Sequence, residues 1–157
     1  MAICEVDAVS KLAKDCGFHL EIAQEFERRF AHLWVGRLEP TASAPDAFLL
    51  AWQAADELDV IALGTAAEAR CQGLARALVD ELLQFAARTN MRRVILEVRS
   101  SNQAALRLYE SFGFQTGRIR EDYYSDPIED GIEMSLAIDE TASAIAANEY
   151  RCLEASE

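Results

Sequence analysis

The stretch Val94 to Phe114 reads VILEVRSSNQAALRLYESFGF. It opens on a run of β-favouring apolar residues broken by one carboxylate, Glu97, and predicts a strand over Val94 to Val98. Ser100, Ser101 and Asn102 follow. Side-chain oxygens of this kind accept the orphan N–H groups that open a helix. A short helix is therefore expected from Gln103 to Phe112. Gly113 stops it, since glycine readily takes the left-handed backbone that ends many helices.

The same reading extends outward. Gly73 to Arg88 is the clearest helix, with Leu74, Leu78, Leu82 and Phe85 on one apolar stripe. Phe48 to Trp52 and Leu58 to Leu63 have strand length and are parted by a turn near Ala54, Ala55 and Asp56. Leu38 to Asp46 holds two of the three prolines and reads as a loop. Leu33 to Gly36 reads as a strand. At the start, Met1 to Val6 is expected as a short edge strand. A helix then opens at Asp7, carries Val9, Leu12 and Ala13, and ends at Gly17. A second helix is expected from His19 to Phe30, with Leu20, Ala23 and Phe26 along one face. Phe114 to Ile119 and Ile132 to Ile138 are the last strands expected. Strands alternating with helices point to a sheet covered on both faces. The reading gives one domain over residues 1–138 and a weakly patterned tail, 139–157.

The chain has 157 residues, 51% of them hydrophobic and 27% charged, which is ordinary globular composition. Its net charge of −12 argues against nucleic acid and anionic membrane as partners. The charge is uneven. Residues 70–120 hold nine Arg against four acids, a net of +5, which leaves −17 for the remainder. A basic middle of this kind suits a compact anion. The four cysteines form no C-x-x-C pair and match no zinc spacing. With no signal-peptide pattern and no long apolar run, a reducing cytoplasm is the expected setting.

Four places carry chemistry. Arg70-Cys71-Gln72-Gly73-Leu74-Ala75-Arg76 lies between a strand and the long helix. Unpaired N–H groups at a helix start attract anions, and Gly73 lets a ligand approach the backbone closely. A plain helix start with solvated arginines is the competing reading. Glu97 is a carboxylate in an apolar strand, which suits a general base if enclosed. The alternative is a solvent-facing Glu paired with an Arg, since Ile95, Glu97 and Arg99 share one strand face. Asn102 reads as a cap, and Tyr109 as a core aromatic with a polar tip. Tyr123 and Tyr124 lie in Glu121 to Glu133, a segment with six acids and no base that reads as a solvated loop. His19 and His32 are the only histidines, so a Ser–His–Asp triad or a histidine-rich metal site is poorly supplied.

Taken in order, these pieces resemble the GNAT superfamily of acetyl-CoA-dependent N-acetyltransferases. Arg70-x-x-Gly73-x-Ala75 is similar to that family's Q/R-x-x-G-x-G/A pyrophosphate loop. Leu96 to Phe114 resembles the ribosomal-protein-alanine N-acetyltransferase (RimI-like) branch, as does Arg120 to Tyr124 followed by Glu129-Asp130. The resemblance covers roughly residues 30–138. Departures are Gly64-Thr65 on the preceding strand and Cys71, where a basic residue is common.

The resemblance implies a three-layer α/β/α fold with a mixed, mostly antiparallel central sheet. It implies acetyl-CoA as co-substrate and no metal. Leu63, Gly64 and Thr65 would pair by backbone with the pantetheine arm. Arg70, Cys71, Gln72, Gly73, Leu74, Ala75 and Arg76 would cradle the pyrophosphate, and Asn102 would bind the cofactor near its acyl end. Glu97 would be the base, Tyr109 the acid for the leaving thiolate, and Tyr123 and Tyr124 would line the acceptor groove. The expected acceptor is a peptide or protein N-terminus, taken by a monomer or homodimer. A small amine as acceptor, or a non-catalytic acyl-CoA-binding module, are the alternatives.

Overall fold

The computed structural model describes residues 3–19, 22–27 and 30–138. Among them the order is α1 (Ile3–Asp15), α2 (Ile22–Glu27), β1 (Ala31–Gly36), β2 (Ala47–Ala54), β3 (Glu57–Thr65), a 3-10 turn (Ala67–Ala69), α3 (Leu74–Arg88), β4 (Arg93–Arg99), α4 (Gln103–Ser111), β5 (Gln115–Ser125) and β6 (Ile128–Ala137). The expected mixed α/β class is the one observed. No helix among the described residues is long and apolar enough to cross a membrane. The expected tail, 139–157, lies outside the described residues.

Two compact units divide the described residues: those up to 54 with 59–82, and 55–58 with 83–138. In the first, strands run in the order β1-β2-β3, with β1 antiparallel to β2. Its core joins Val9, Leu12 and Ala13 of α1 and Ile22 of α2 to Phe48, Leu50 and Ala62 of the strands. Phe18 meets the Phe48 ring edge-on at 5.8 Å.

The start of the chain corrects the sequence reading. Ile3 to Val6 belong to α1 and not to an edge strand. Val6 packs with Val9 and Ala13 against the core, so one helical stripe runs through both segments. The C-terminus of α1 is as expected. Gly17 has φ +85°, Phe18 N–H donates to Ala13 O at 2.9 Å, and Gly17 N–H donates to Lys14 O at 3.0 Å. In α2 the inward residue is Ile22, fully buried, while Ala23 is exposed. Leu20 and the Phe26 side chain lie outside the described residues.

In the second unit the order is β4-β6-β5, with β4 and β5 both antiparallel to β6. Val94, Leu96 and Val98 point inward and Ile95, Glu97 and Arg99 share the other face. Asn102 caps α4, its side-chain oxygen accepting from Ala105 N–H at 3.1 Å. Gly113, at φ +89°, ends the helix in the same way as Gly17 ends α1. Phe114 N–H donates to Tyr109 O at 3.1 Å. That closure brings Phe114 against Tyr109, ring centroids 5.5 Å apart, which is why both rings are buried.

The acidic segment also differs from expectation. Glu121 to Ser125 extend β5, Ile128 to Glu133 open β6, and only a tight turn at Asp126-Pro127 joins them. Nearly every β5 residue is exposed, so the strand carries no apolar alternation to read.

Gly64 is a packing requirement of the first unit. A Cβ there would stand 2.5 Å from Phe48 Cε1 and 3.0 Å from Cys16 Sγ. Phe48 is fully buried and has no space to yield. Gly64→Ala is expected to cost about 1–3 kcal/mol of stability by overpacking. Urea unfolding measures this, and a midpoint equal to that of the parent chain would contradict it.

Candidate functional site

The first unit supplies the loop between β3 and α3. Thr65 ends β3, and its carbonyl accepts from Arg70 Nε at 3.4 Å and from the Cys16 thiol at 3.5 Å. Burial pushes that thiol's pKa upward, partly offset by Arg70. After the 3-10 turn, Cys71 has φ +59° and Gly73 φ +85°, so the backbone turns sharply twice before the helix. Gln72 Nε2 donates back to Glu68 O at 3.1 Å, bracing the turn. The first helical bond runs from Ala77 N–H to Gly73 O at 2.9 Å. The N–H groups of Leu74, Ala75 and Arg76 therefore precede the intrahelical ladder.

A Cβ placed on Gly73 would meet nothing within 4 Å, so the backbone there faces open space. Cys71 is exposed and its thiol is free. These features fit an anionic phosphate group: forward-facing N–H groups, an approachable glycine and two flanking arginines. Leu63 and Thr65 are half-buried at the end of β3, and Gly64 between them is buried under Phe48.

The second unit gathers Glu97, Tyr123 and Tyr124. Glu97 is half-buried on β4, and its Oε1 lies 2.8 Å from Arg120 Nη1. The Tyr123 hydroxyl bonds to Glu97 as well. Tyr123 and Tyr124 meet edge to face at 5.0 Å, under two guanidinium groups. Arg120 lies 5.2 Å from the Tyr123 ring centre and Arg99 lies 4.1 Å from that of Tyr124. The hydrogen bond to Glu97 and partial burial push the Tyr123 phenol up to about 12. Burial and the Glu97 charge also raise Tyr124. Tyr109 is 6% exposed, and burial, with Tyr124 adding to it, raises its phenol well above the ordinary tyrosine value. Tyr109 therefore keeps its proton through the neutral range and remains a donor.

A bulge in β5 aims these rings. Arg120 pairs with Gly131 and Tyr124 with Glu129, so four steps on β5 match two on β6. Asp122 takes φ +50°, and its N–H donates to Asp130 Oδ1 at 3.0 Å. The Tyr123 ring then lies on Gly131, where a Cβ would come within 2.9 Å of Tyr123 Cδ1. An open depression of about 540 Å3 beside this bulge is lined by Arg118, Ile119, Arg120 and Glu121.

Glu129 ties the cluster together. Its Oε1 accepts from Ser101 N–H at 2.5 Å and Ser100 Oγ at 3.1 Å, while Oε2 lies 3.3 Å from Arg99 Nη1. Arg99 Nη2 also donates to Asp126 O at 3.0 Å. The Ser101 hydroxyl and N–H, with Ser100 and Arg99, hold the Glu129 carboxyl at about 2.

Sequence reasoning singled out Glu97, Asn102, Tyr109, Tyr123 and Tyr124, but missed Arg99, Arg120, Glu129 and Glu133 as their partners. The alternative expectation for Glu97 is a solvent-facing carboxylate paired with a neighbouring Arg. Its partner is Arg120, two strands away in the order, because the adjacent Arg99 is taken by Glu129. Asn102 acts as the helix cap with its carbonyl oxygen.

A family model for the acetyltransferase (GNAT) family matches residues 10–114. The chain is 38% identical over 94 residues to the ribosomal protein bS18-alanine N-acetyltransferase of Escherichia coli, a match covering 59% of this chain and 64% of that protein. It is 44% identical over 68 residues to the N-alpha-acetyltransferase RimI of Mycobacterium tuberculosis, covering 43% of this chain and 41% of that protein. These matches thus span less than two thirds of the relatives' own length. Among solved structures, the Escherichia coli ribosomal-protein-S18-alanine N-acetyltransferase aligns with TM-score 0.77 and 26% identity, over 88% of this chain and 91% of that one. Arabidopsis thaliana NAA60 in complex with acetyl-CoA aligns with TM-score 0.75 and 16% identity over 88% and 96%, a likeness of fold.

The Glu129 carboxyl generates a pH prediction. Its value lies below the ordinary 4.5, so its stabilising effect is complete above about pH 4.5 and is lost as pH falls towards 2. Glu129→Gln should therefore be less stable than the parent chain at pH 7, with the gap narrowing between pH 4.5 and 2. Denaturant unfolding across that range measures it, and a gap that is constant or widens on acidification would contradict it.

Proposed function

Since the chain belongs to the acetyltransferase (GNAT) family, we propose that it moves an acetyl group from acetyl-CoA to a primary amine, the N-terminal α-amine of a protein. The observation that carries this reading is a half-buried strand carboxylate, Glu97, set among phenols and bonded to one of them. Its relatives include a ribosomal protein bS18-alanine N-acetyltransferase and an N-alpha-acetyltransferase. We read residues 1–138 as the catalytic domain and a reducing, cytoplasmic compartment as its setting.

Each unit has its part in this scheme. In the first, the Arg70 to Arg76 loop takes the pyrophosphate of acetyl-CoA on backbone N–H groups and arginine charge. Leu63, Gly64 and Thr65 take the pantetheine arm by backbone contacts. In the second, Asn102 lies near the acyl end and keeps its side-chain oxygen in the α4 cap.

An α-ammonium group is not a nucleophile until it loses a proton. Glu97 removes that proton, directly or through water. The free amine attacks the thioester carbonyl and the C–S bond breaks; the second proton leaves the nitrogen and, passing through water, replaces the one that Tyr109 gives to the thiolate. Tyr109, held protonated by burial, donates to the departing thiolate. No covalent enzyme intermediate is required, so the remaining contribution is alignment of the two substrates. Tyr123 and Tyr124 line the acceptor groove. The acids of β5 and β6 favour a basic peptide through long-range attraction.

Incubation of the chain with acetyl-CoA and short peptides of varied first residue, followed by mass spectrometry, tests the reading. Acetylation confined to the peptide α-amine is expected. Turnover of spermidine alone would move the acceptor to the small amines, and CoA binding with no transfer to any amine would leave a non-catalytic module. In a parallel titration, Gly73→Val should weaken CoA binding by at least about tenfold, since a branched side chain is strained at that φ and fills the approach to the loop. An unchanged dissociation constant would contradict that.

A further inference from the structure

Glu97 on β4 and Glu133 on β6 are register partners in the antiparallel ladder. Like charges directly opposite one another weaken such a pair. Arg120, entering from β5, is the cation that both carboxylates reach. Its Nη1 stands 2.8 Å from Glu97 Oε1, and its Nη2 stands 3.7 Å from Glu133 Oε2. The same guanidinium lies 5.2 Å from the centre of the Tyr123 ring, whose hydroxyl bonds to Glu97. Arg120 Nε is buried and makes no hydrogen bond, so the two terminal nitrogens and the ring contact hold the group. The other nearby cation on this face of β4, Arg99, is engaged by Glu129, the Asp126 and Pro127 carbonyls and the Tyr124 ring.

We propose that Arg120 is a positioning residue for acetyl transfer: it bridges Glu97 and Glu133, cancels their repulsion, and fixes the Glu97 carboxylate towards the acceptor amine. This rests on the reading of Glu97 as the base. A planar two-pronged guanidinium spans two carboxylates at a set spacing, and a lysine ammonium supplies one charged centre without that span. Arg120 touches neither substrate in this scheme, so its loss acts through Glu97. The signature is a fall in kcat with little change in KM for acetyl-CoA. Removing Glu133 together with Arg120 takes away the repulsion along with the bridge, so the pair of changes must be less harmful than the loss of Arg120 alone.

The test follows release of the CoA thiol with acetyl-CoA and an acceptor peptide, using the full chain. Arg120→Met should lower kcat by at least about tenfold and move KM for acetyl-CoA by less than about twofold. Arg120→Lys should recover part of the loss, and Arg120→Met combined with Glu133→Gln should also recover part of it. Parent-like kcat in Arg120→Met, or a loss confined to KM, overturns the proposal. So does a double variant no more active than Arg120→Met. If circular dichroism shows Arg120→Met unfolded, Arg120→Lys decides: a kcat reduced by about threefold or more at constant KM supports the bridge, and parent-like kcat overturns it. Absence of turnover by the parent chain with every amine overturns the acetyltransferase reading itself, and the proposal with it. That result is distinct from a parent chain that turns over and a variant that matches it.

Discussion

Two carboxylates face each other across the β4–β6 ladder, and the guanidinium of Arg120 lies against both. Without that cation the register would set like charges at closest approach in the middle of a sheet. Arg120 reaches the place only because β5 pairs with β6 on the far side, and because β5 bulges just after it. The bulge also turns Tyr123 onto Gly131 and brings its hydroxyl to Glu97. The carboxylate, the phenol and the cation thus depend on one another's placement. A change in β5 register would separate all three.

A second clamp supports the first. Glu129 joins Ser100 and Ser101, between β4 and α4, to the start of β6. Arg99 ties the same carboxylate to the backbone of the β5–β6 turn. The entry to α4 is therefore anchored on one side by the Asn102 cap and on the other by Glu129. Its exit is closed by Gly113, which seats Phe114 on Tyr109. One proton donor and one proton acceptor of the proposed reaction are in this way held by backbone motifs at the two ends of a nine-residue helix and by the strand before it.

Much of this is legible in the amino-acid sequence alone. Capping residues, glycine stops and the apolar stripes of α3 and β4 are local signals, written in consecutive residues and read by fixed periods. The turn and glycine ahead of α3 belong to the same class. What escaped was non-local or lacked contrast. The acids of β5 and β6 read as a loop because β5 is exposed on almost every residue, and the partners of Glu129 (Ser101 and Arg99) lie elsewhere in sequence. Arg120 as the partner of Glu97 depends on strand order and on a bulge, neither of which a single sequence displays. Ile3 to Val6 were misread because a short apolar run fits strand and helix alike, and only the continuing stripe of Val9 and Ala13 decides it. Gly64 was read for its backbone towards a cofactor, whereas the structure also demands it beneath Phe48.

The central claim is that Glu97 and Tyr109 carry the two proton transfers of acetyl transfer. Steady-state turnover of Glu97→Gln and Tyr109→Phe on an acceptor peptide, with CoA affinity measured alongside, tests it most directly. The account predicts a kcat lower by at least about tenfold in each variant and CoA affinity within about twofold of the parent chain. Turnover within tenfold of the parent in both variants would contradict it.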